Sequence, residues 1–178
     1  RFRDLLVQEV GRIPCGDPAD PGTIVGPIID KGHLLRIAAW VEEARQAGAQ
    51  VLAGGHAVDE ARNVYAATLL TGTDSTMKVS CAEAFGPIAT VERVRDFKAA
   101  IDAVNDSSFG LQAGVFTDSL AHARLAHEEL EVGGVIINGI PGFRVDSMPY
   151  GGIKDSGLGR EGIRYAIEEM SEPRLLVY

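Results

Sequence analysis

The chain of 178 residues has the length of one ordinary globular domain, and its 46% hydrophobic content is enough to build a core. The formal net charge of −8 argues against non-specific nucleic-acid binding, because such binding needs Lys and Arg to neutralise phosphates. Two cysteines and no apolar run near the ~20 residues that span a bilayer predict a cytoplasmic protein without a disulfide framework or a membrane segment. The chain starts with neither an initiator methionine nor a signal peptide, so we expect it to be part of a longer protein.

The first half predicts helices and strands in alternation. Apolar residues at helical spacing predict a helix over residues 2–10, and frequent Gly and Pro predict a loop over residues 11–27. Asp30 is the expected N-cap of a helix over residues 31–47, and Gly48 suits the position that follows a helix. Strands are predicted over residues 50–53, 64–70 and 88–94.

The second half continues the alternation. Asp96 and Asp118 are the expected N-caps of helices that reach residues 104 and 130. A third helix is predicted over residues 159–170, and strands are predicted over residues 112–116, 134–138 and 174–178. This order of elements predicts an α/β fold with a mostly parallel sheet.

The last residues are expected to behave differently from the rest. Ser171-Glu172-Pro173 interrupts the chain before the apolar residues 174–178. A terminal strand after such a break often adds to another sheet, including one in another subunit. We therefore divide the chain into a domain over residues 1–170 and a strand over residues 171–178.

Residues 157–162 match the letters G-x-G-x-x-G of a dinucleotide fingerprint. A true fingerprint follows a strand, opens a helix and precedes an acidic residue ~20 positions later. Here the preceding segment is a glycine-rich loop, and only 16 residues follow Gly162. The pattern favours glycines that allow a tight turn, with a self-standing Rossmann protein as the alternative.

Neither a metal site nor a nucleophile is indicated. The four histidines lack partner ligands at metal-binding spacing, and His122 and His127 are predicted to lie on the surface of one helix. Cys15 has no base near it in sequence, and the acidic neighbour of Cys81 disfavours its thiolate. Both cysteines are therefore predicted to have no catalytic role.

Residues 83–87, Glu-Ala-Phe-Gly-Pro, place a carboxylate two residues from an aromatic ring before a Gly-Pro turn. Glu83 is suited to accept hydrogen bonds from sugar hydroxyls, and Phe85 to pack against a planar heterocycle. The alternative, which the spacing alone favours, is a polar loop with one core phenylalanine.

Arg144 and Asp146 lie just before the long irregular loop of residues 149–157. Long loops are uncommon without a functional reason. An arginine beside a pocket binds anions well, because its fork pairs bidentately with carboxylate, phosphate or sulfonate. The alternative is that Arg144 and Asp146 pair with groups in their own neighbourhood.

Five segments in chain order resemble signature motifs of the aldehyde dehydrogenase superfamily. They are residues 16–18 with 26–27, residues 83–87, Asn105 with residues 109–111 and 115–117, residues 134–138, and residues 149–162. The second resembles the family's E-x-F-G-P motif, and the last resembles its P-Y-G-G-x-K-x-S-G-x-G-R-E-G signature. One such motif is weak evidence, whereas five in the family's order over nearly the whole chain are specific.

The resemblance implies a fold and a reaction. The family combines a Rossmann-like cofactor domain, an α/β catalytic domain and a small oligomerisation sheet, so residues 1–170 are expected to be the C-terminal part of the catalytic domain and residues 171–178 an oligomerisation strand of a homo-oligomer. A cysteine attacks the aldehyde, hydride passes to NAD or NADP, and water activated by a glutamate releases the acid. The nucleophilic Cys, its Asn oxyanion partner and the base Glu are expected upstream of Arg1, so this chain alone is expected to be inactive.

The resemblance assigns roles to four residues. Glu83 resembles the carboxylate on the nicotinamide ribose, Phe85 the aromatic ring beside it, and Tyr150 an aromatic near the substrate tunnel. Residues 143–150 resemble the branch that acts on lactaldehyde and on phosphono-, sulfo- or phospho-substituted aldehydes. We hypothesise that Arg144 binds an anionic group of the substrate. The alternative function is a non-catalytic α/β domain that assembles through its terminal strand.

Overall fold

A computed structural model describes residues 1–178 as two units, Arg1–Arg93 and Val94–Tyr178. The helices are α1 Phe2–Val10, α2 Lys31–Gln46, α3 Lys78–Cys81, α4 Phe97–Asn105, α5 Leu120–Glu129 and α6 Ile163–Glu169. The strands are β1 Gln50–Ala53, β2 Ala57–Asp59, β3 Val64–Tyr65, β4 Thr68–Thr71, β5 Ile88–Thr90, β6 Phe109–Gly110, β7 Gln112–Val115, β8 Gly134–Ile137 and β9 Ile153–Lys154. The α/β class is confirmed. None of the helices combines the length and the apolar character needed to cross a bilayer.

The strand pairing is mixed, which corrects the expectation of a mostly parallel sheet. Strands β4 and β5 pair in parallel, as do β7 and β8. Strand β1 pairs with β4, β2 with β3, and β6 with β9, all antiparallel. Each parallel pair has a helix in its connection, α3 in the first case and α5 in the second, because parallel strands need a crossover. The antiparallel pair β2–β3 has no helix between its strands, so the alternation of elements could not reveal it.

Helix α2 builds the core of the first unit. Its buried residues recur at helical spacing and face the sheet: Leu34, Ile37, Val41 and Ala44. Asp30 caps the helix as predicted, since its Oδ1 accepts a hydrogen bond from the backbone N–H of His33 at 2.8 Å. Gly48 has a φ of 107°, which suits the turn that leads into β1.

The strand predicted over residues 64–70 is divided in two by Ala66 and Ala67. The N–H of Ala66 donates to the carbonyl of His56, and the N–H of Ala67 donates to the sulfur of Cys15. Both donors are therefore used outside a β ladder, and the chain changes partner between β3 and β4. All residues from Val64 to Leu70 are nevertheless buried, as their apolar character predicts.

The second unit contains α4 to α6 and β6 to β9. Asp96 caps α4 as predicted, accepting from the N–H of Ala99 at 2.8 Å. The predicted cap of α5 was wrong: Ser119, not Asp118, accepts from the N–H of His122. Helix α6 begins only at Ile163, since Gly159 and Gly162 have positive φ angles that no α-helix contains.

Residues 171–178 form no strand with the rest of this chain. The side chains of Leu175, Leu176, Val177 and Tyr178 are all exposed. The oligomerisation strand and the boundary at residue 170 therefore stay predictions, because pairing with a second copy is a property of an assembly.

Candidate functional site

Glu83 and Phe85 lie on the loop between α3 and β5 in the first unit. Both side chains are exposed, Phe85 to 73%. The expectation of a core phenylalanine, which the spacing alone favoured, was therefore wrong. Phe85 also has a φ of 49°, an uncommon backbone conformation for a residue with a large side chain. The loop thus displays a carboxylate and an aromatic ring to solvent.

A side chain of helix α2 holds this loop in position. The Nη2 atom of Arg36 donates a hydrogen bond to the carbonyl oxygen of Ala84 at 2.7 Å, between the two candidate residues. The guanidinium of Arg36 lies 4.4 Å from the centre of the Trp40 ring, one helical turn away, which fixes its direction. Sequence reasoning missed Arg36, although the spacing of Arg36 and Trp40 on a helix favours such a contact.

Gly86 allows the loop to approach α2 closely. A Cβ atom at this position would collide with Cδ1 of Ile37, which is fully buried. The glycine of the Glu-Ala-Phe-Gly-Pro segment is therefore required by packing. Its neighbour Pro87 accepts a hydrogen bond from the N–H of Thr68, which joins the end of the loop to strand β4.

An open hollow lies beside Phe85. It is lined by residues 24–29, His33, Phe85, Gly86 and Pro87. Ile24 and Ile29 are 71% and 84% exposed, so the hollow presents apolar surface next to the aromatic ring. An apolar surface beside an exposed aromatic ring suits the packing of a planar ligand group.

Arg144 and Tyr150 lie together in the second unit. The guanidinium carbon of Arg144 is 5.2 Å from the centre of the Tyr150 ring, within the range of a cation–π contact. Nη2 of Arg144 also lies 2.8 Å from Oε2 of Glu161. The local pairing weighed as an alternative is therefore present for Arg144, with Glu161 as its partner. Sequence reasoning missed Glu161 because 17 residues separate it from Arg144.

Backbone contacts fix the relative positions of these three residues. Tyr150 and Glu161 form an antiparallel bridge, in which the N–H of each donates to the carbonyl of the other. The side-chain amide of Gln112, on strand β7, donates to the carbonyl of Phe143 at 3.1 Å, just before Arg144. The Arg144 segment is thus attached to the sheet at its start, and Glu161 is attached to Tyr150.

The glycine-rich segment between β9 and α6 is a structural turn. Ser156 Oγ accepts from the N–H of Gly110, and Arg160 Nη1 donates to the carbonyls of Gly152 and Gly159. Strand β9 pairs antiparallel with β6, and no strand follows α6. The strand–helix–strand context of a dinucleotide fingerprint is therefore absent, and the Rossmann alternative loses its support.

Lys154 joins the same segment to the end of helix α4 and to the loop between α5 and β8. Its Nζ donates to the carbonyls of Asn105 at 2.8 Å and Ser107 at 3.0 Å, and it pairs with Glu131 at 2.6 Å. All donors of this lysine are used within the unit, so its role is structural.

The hydrogen-bond partners of the two cysteine sulfurs are all backbone groups. The thiol of Cys15 donates to the carbonyl of Ile13, and its sulfur accepts from the N–H of Ala67. Cys81 is exposed at the end of α3. His56 lines the same small hollow as Cys15, but its Nδ1 bonds the carbonyl of Gly54, and no hydrogen bond joins a histidine to either sulfur. No group of three or more potential metal ligands occurs. His122, exposed as predicted, stacks on Phe97 with ring centres 4.3 Å apart.

The candidate residues thus form two pairs in separate units. Glu83 and Phe85 belong to the first unit, and Arg144 and Tyr150 to the second. The structure brings Arg144 and Tyr150 into contact, with Glu161 paired to Arg144, whereas Glu83 and Phe85 lie on one loop that Arg36 holds through Ala84.

Almost the whole of this chain is similar in sequence to named proteins. It is 43% identical to a 3-sulfolactaldehyde dehydrogenase of Priestia aryabhattai, 41% to a sulfoacetaldehyde dehydrogenase of Neptuniibacter caesariensis and 39% to a lactaldehyde dehydrogenase of Methanococcus maripaludis. Each match covers 99% of this chain but only 36%, 38% and 37% of the respective relative. The chain therefore spans little more than a third of these proteins' length.

Solved structures agree with this similarity. Aldehyde dehydrogenase 21 of Physcomitrella patens, in complex with the reaction product succinate, matches with a TM-score of 0.89 and 38% identity, over 94% of this chain and 34% of its own. A glyceraldehyde-3-phosphate dehydrogenase of Methanocaldococcus jannaschii, complexed with NADP, matches with a TM-score of 0.88 and 36% identity, over 96% of this chain and 36% of its own. The sequence model of the aldehyde dehydrogenase family covers residues 1–176. The chain belongs to the aldehyde dehydrogenase family.

Proposed function

We propose that the full-length protein is an NAD(P)-dependent aldehyde dehydrogenase that oxidises a small anionic aldehyde to the carboxylic acid. The observation that carries the choice of substrate is the guanidinium of Arg144, which is held over the Tyr150 ring while about half of the side chain remains exposed. Two relatives named for sulfonated aldehydes, sulfolactaldehyde and sulfoacetaldehyde, support the same choice.

Glu83 and Phe85 bind the cofactor in this proposal. The cofactor supplies the hydride acceptor. The Glu83 carboxylate accepts hydrogen bonds from ribose hydroxyls, and the Phe85 ring packs against the nicotinamide and excludes water from that side. Support comes from the exposure of both side chains and from the apolar hollow beside the ring. The choice between NAD and NADP lies outside the residues of this loop.

Arg144 and Tyr150 orient the substrate. A sulfonate, phosphonate or carboxylate accepts paired hydrogen bonds from the planar guanidinium fork. The Tyr150 ring forms one wall beside it and restricts the angles from which the anion can approach. Holding the far end of a small aldehyde in this way places its carbonyl in a reproducible position, which is the main contribution that a binding residue makes to rate.

The nucleophile is supplied by a part of the protein outside this chain. The sulfur of Cys15 is hydrogen-bonded to backbone groups, and neither Cys15 nor Cys81 is hydrogen-bonded to a histidine base. An activated thiol needs a base or a positive neighbour. The residues of this chain therefore bind cofactor and substrate and do not attack the carbonyl.

The proposal is tested by steady-state kinetics of the full-length protein with sulfoacetaldehyde and with uncharged propionaldehyde. We expect reduction of NAD or NADP with both, and a lower KM for the sulfonate. The variant Arg144→Gln should raise KM for sulfoacetaldehyde about tenfold or more, the loss expected for a charged hydrogen bond, while propionaldehyde kinetics stay the same. Equal effects on the two aldehydes would contradict the proposed role of Arg144.

Residues 171–178 favour a second property, self-association. Leu175, Leu176, Val177 and Tyr178 expose four consecutive apolar side chains, a pattern suited to pairing with the sheet edge of another copy. We propose a homo-oligomer formed through this segment. If the full-length protein does not oxidise aldehydes, the alternative is a non-catalytic α/β domain whose function is assembly.

A further inference from the structure

Met148 lies between Arg144 and Tyr150, and its sulfur takes part in the turn that joins them. The N–H of Met148 donates to the carbonyl of Val145 at 3.1 Å, which closes a turn over residues 145–148. The carbonyl of Met148 accepts from the N–H of Tyr150 at 2.9 Å. The side chain folds back over the same turn, where Sδ accepts a hydrogen bond from the N–H of Val145 at 3.3 Å. The sulfur therefore holds the residue that directly follows Arg144.

The two sides of this turn differ in their freedom to move. On the Tyr150 side, Gly162 packs so closely that a Cβ atom on it would lie 2.6 Å from the carbonyl oxygen of Met148. On the Arg144 side, residues 142–147 are all exposed, while Met148 itself is partly buried. A larger polar group at the Met148 sulfur would therefore displace Val145 and Arg144 rather than Tyr150, and the exposed residues give a small oxidant access to the turn.

We propose that the sulfur of Met148 is an oxidation site, and that its conversion to the sulfoxide weakens binding of the anionic aldehyde. This inference rests on the proposed role of Arg144. The oxidant is hydrogen peroxide: a sulfur lone pair attacks one peroxide oxygen, the O–O bond breaks, an S–O bond forms, and water leaves after proton transfer. The sulfur loses two electrons and the peroxide gains them.

The change in the acceptor explains the effect on the substrate. A thioether sulfur is a weak acceptor, whereas the sulfoxide is polar and carries its oxygen one bond beyond the sulfur. The N–H of Val145 would then bind an atom in a different position. Because Val145 directly follows Arg144, the guanidinium would be displaced from its place over the Tyr150 ring.

The test oxidises the full-length protein and compares its kinetics with sulfoacetaldehyde and propionaldehyde. Thiols are first blocked as methyl disulfides and are released with dithiothreitol after the peroxide is removed, so that the nucleophile is spared. Hydrogen peroxide is added until a free peptide of residues 145–150 in the same solution is fully oxidised, and peptide mass spectrometry then locates the added oxygen. We expect the sulfoxide at Met148, and a KM for sulfoacetaldehyde raised roughly two- to tenfold, the range that corresponds to one hydrogen bond. The KM for propionaldehyde should stay the same, and methionine sulfoxide reductase should restore the original value.

Two variants assign the effect to one sulfur. Met148→Leu has no sulfur at this position, so peroxide should no longer change its KM for sulfoacetaldehyde. Met170→Leu removes the 81% exposed methionine at the end of α6 and should respond like the unmodified protein. The inference is overturned if Met148 stays unoxidised, if its sulfoxide leaves the KM for sulfoacetaldehyde unchanged, or if both KM values rise equally. If Arg144→Gln has no effect on sulfoacetaldehyde, the proposed function fails; if Arg144→Gln acts but the Met148 sulfoxide does not, only the present inference fails.

Discussion

Arg36 on helix α2 donates a hydrogen bond from Nη2 to the carbonyl oxygen of Ala84 at 2.7 Å. The contact joins a long helix to the one loop residue that lies between Glu83 and Phe85. Because Arg36 also stacks on Trp40, the donor is held in place before any ligand binds. The position of the proposed cofactor residues therefore depends on a side chain that belongs to a different element.

Replacing Arg36 by alanine should weaken cofactor binding without affecting the aldehyde. We expect the KM for NAD or NADP to rise roughly tenfold, because a hydrogen bond from a charged donor is worth about 1.5–3 kcal/mol and only part of that orders the loop. Initial-rate kinetics with varied cofactor measure the effect. Arg45→Ala is the matched control, since Arg45 lies on the same helix and pairs only with Glu42. A rise confined to the aldehyde KM would contradict this role.

Gly86→Ala should destabilise the first unit. The new methyl group would meet Cδ1 of the buried Ile37, and overpacking of this kind costs about 1–3 kcal/mol. The unfolding temperature measures the cost, and it should be partly restored in Gly86→Ala with Ile37→Val, because valine lacks the Cδ1 atom. If the double variant loses the sum of the two single effects, the two residues do not interact as described.

The first unit shows what local sequence signals can predict. Helices α1 and α2, the cap at Asp30, strand β1 and Gly48 follow from apolar spacing, side-chain capping chemistry and the need for positive φ. The break at Ala66 and Ala67 was not predictable from local sequence. It depends on hydrogen bonds from their backbone N–H groups to the carbonyl of His56 and the sulfur of Cys15, which are not their neighbours in sequence. Antiparallel pairing of β1 with β4 was missed for the same reason.

The candidate sites show the same division. The motif resemblance selected Glu83, Phe85, Arg144 and Tyr150, and the structure describes two exposed side chains in the first unit and one stacked pair in the second. Their supports, Arg36 and Glu161, lie 48 and 17 residues from the groups they contact. Contacts over such distances depend on tertiary structure and leave no periodic signal in the sequence.

Gln112 offers a test of the second unit. Its Oε1 is buried without a hydrogen-bond partner, while its Nε2 donates to the carbonyl of Phe143. Gln112→Leu should cost little stability, because it removes an unpaired polar atom along with one hydrogen bond, whereas Gln112→Glu should destabilise more by burying a carboxylate oxygen without a donor. Thermal unfolding ranks the two variants. In Gln112→Leu the KM for sulfoacetaldehyde should rise as the Arg144 segment loosens, and an unchanged value would show that the hydrogen bond to Phe143 does not position Arg144.

The cap of helix α2 should make stability depend on pH. The backbone N–H of His33, donated to the Asp30 carboxylate, lowers the pKa of that carboxyl below its usual value of 3.8, and the His33 side chain adds to the effect. A lowered folded-state pKa means that the stabilisation is complete above about pH 3.8 and is lost as the pH falls through the folded value. Unfolding temperatures measured down this range should drop less steeply for Asp30→Asn, which caps without titrating. Parallel curves for the two proteins would refute this assignment.

If the terminal segment forms the interface as a β-strand, substitutions on its two faces should weaken assembly to different extents. In a β-strand, Leu175 and Val177 point to one side and Leu176 and Tyr178 to the other. Replacing one of these pairs by serine should dissociate the full-length oligomer, and replacing the other should have a smaller effect, as measured by light scattering after size-exclusion chromatography. Equal behaviour of both double variants and the unmodified protein would show that residues 174–178 do not form the interface.

The most direct measurement is aldehyde-dependent formation of NADH or NADPH, made in parallel on the full-length protein and on the 178-residue chain alone. Because we propose only binding residues in this chain and assign the nucleophile to another part of the protein, we predict reduced cofactor from the full-length protein and none from the chain. If the full-length protein is inactive, the alternative of a non-catalytic assembly domain would be favoured over an enzyme. Activity of the chain alone would contradict the account at its centre, because Cys15 or Cys81 would then have to act as the nucleophile.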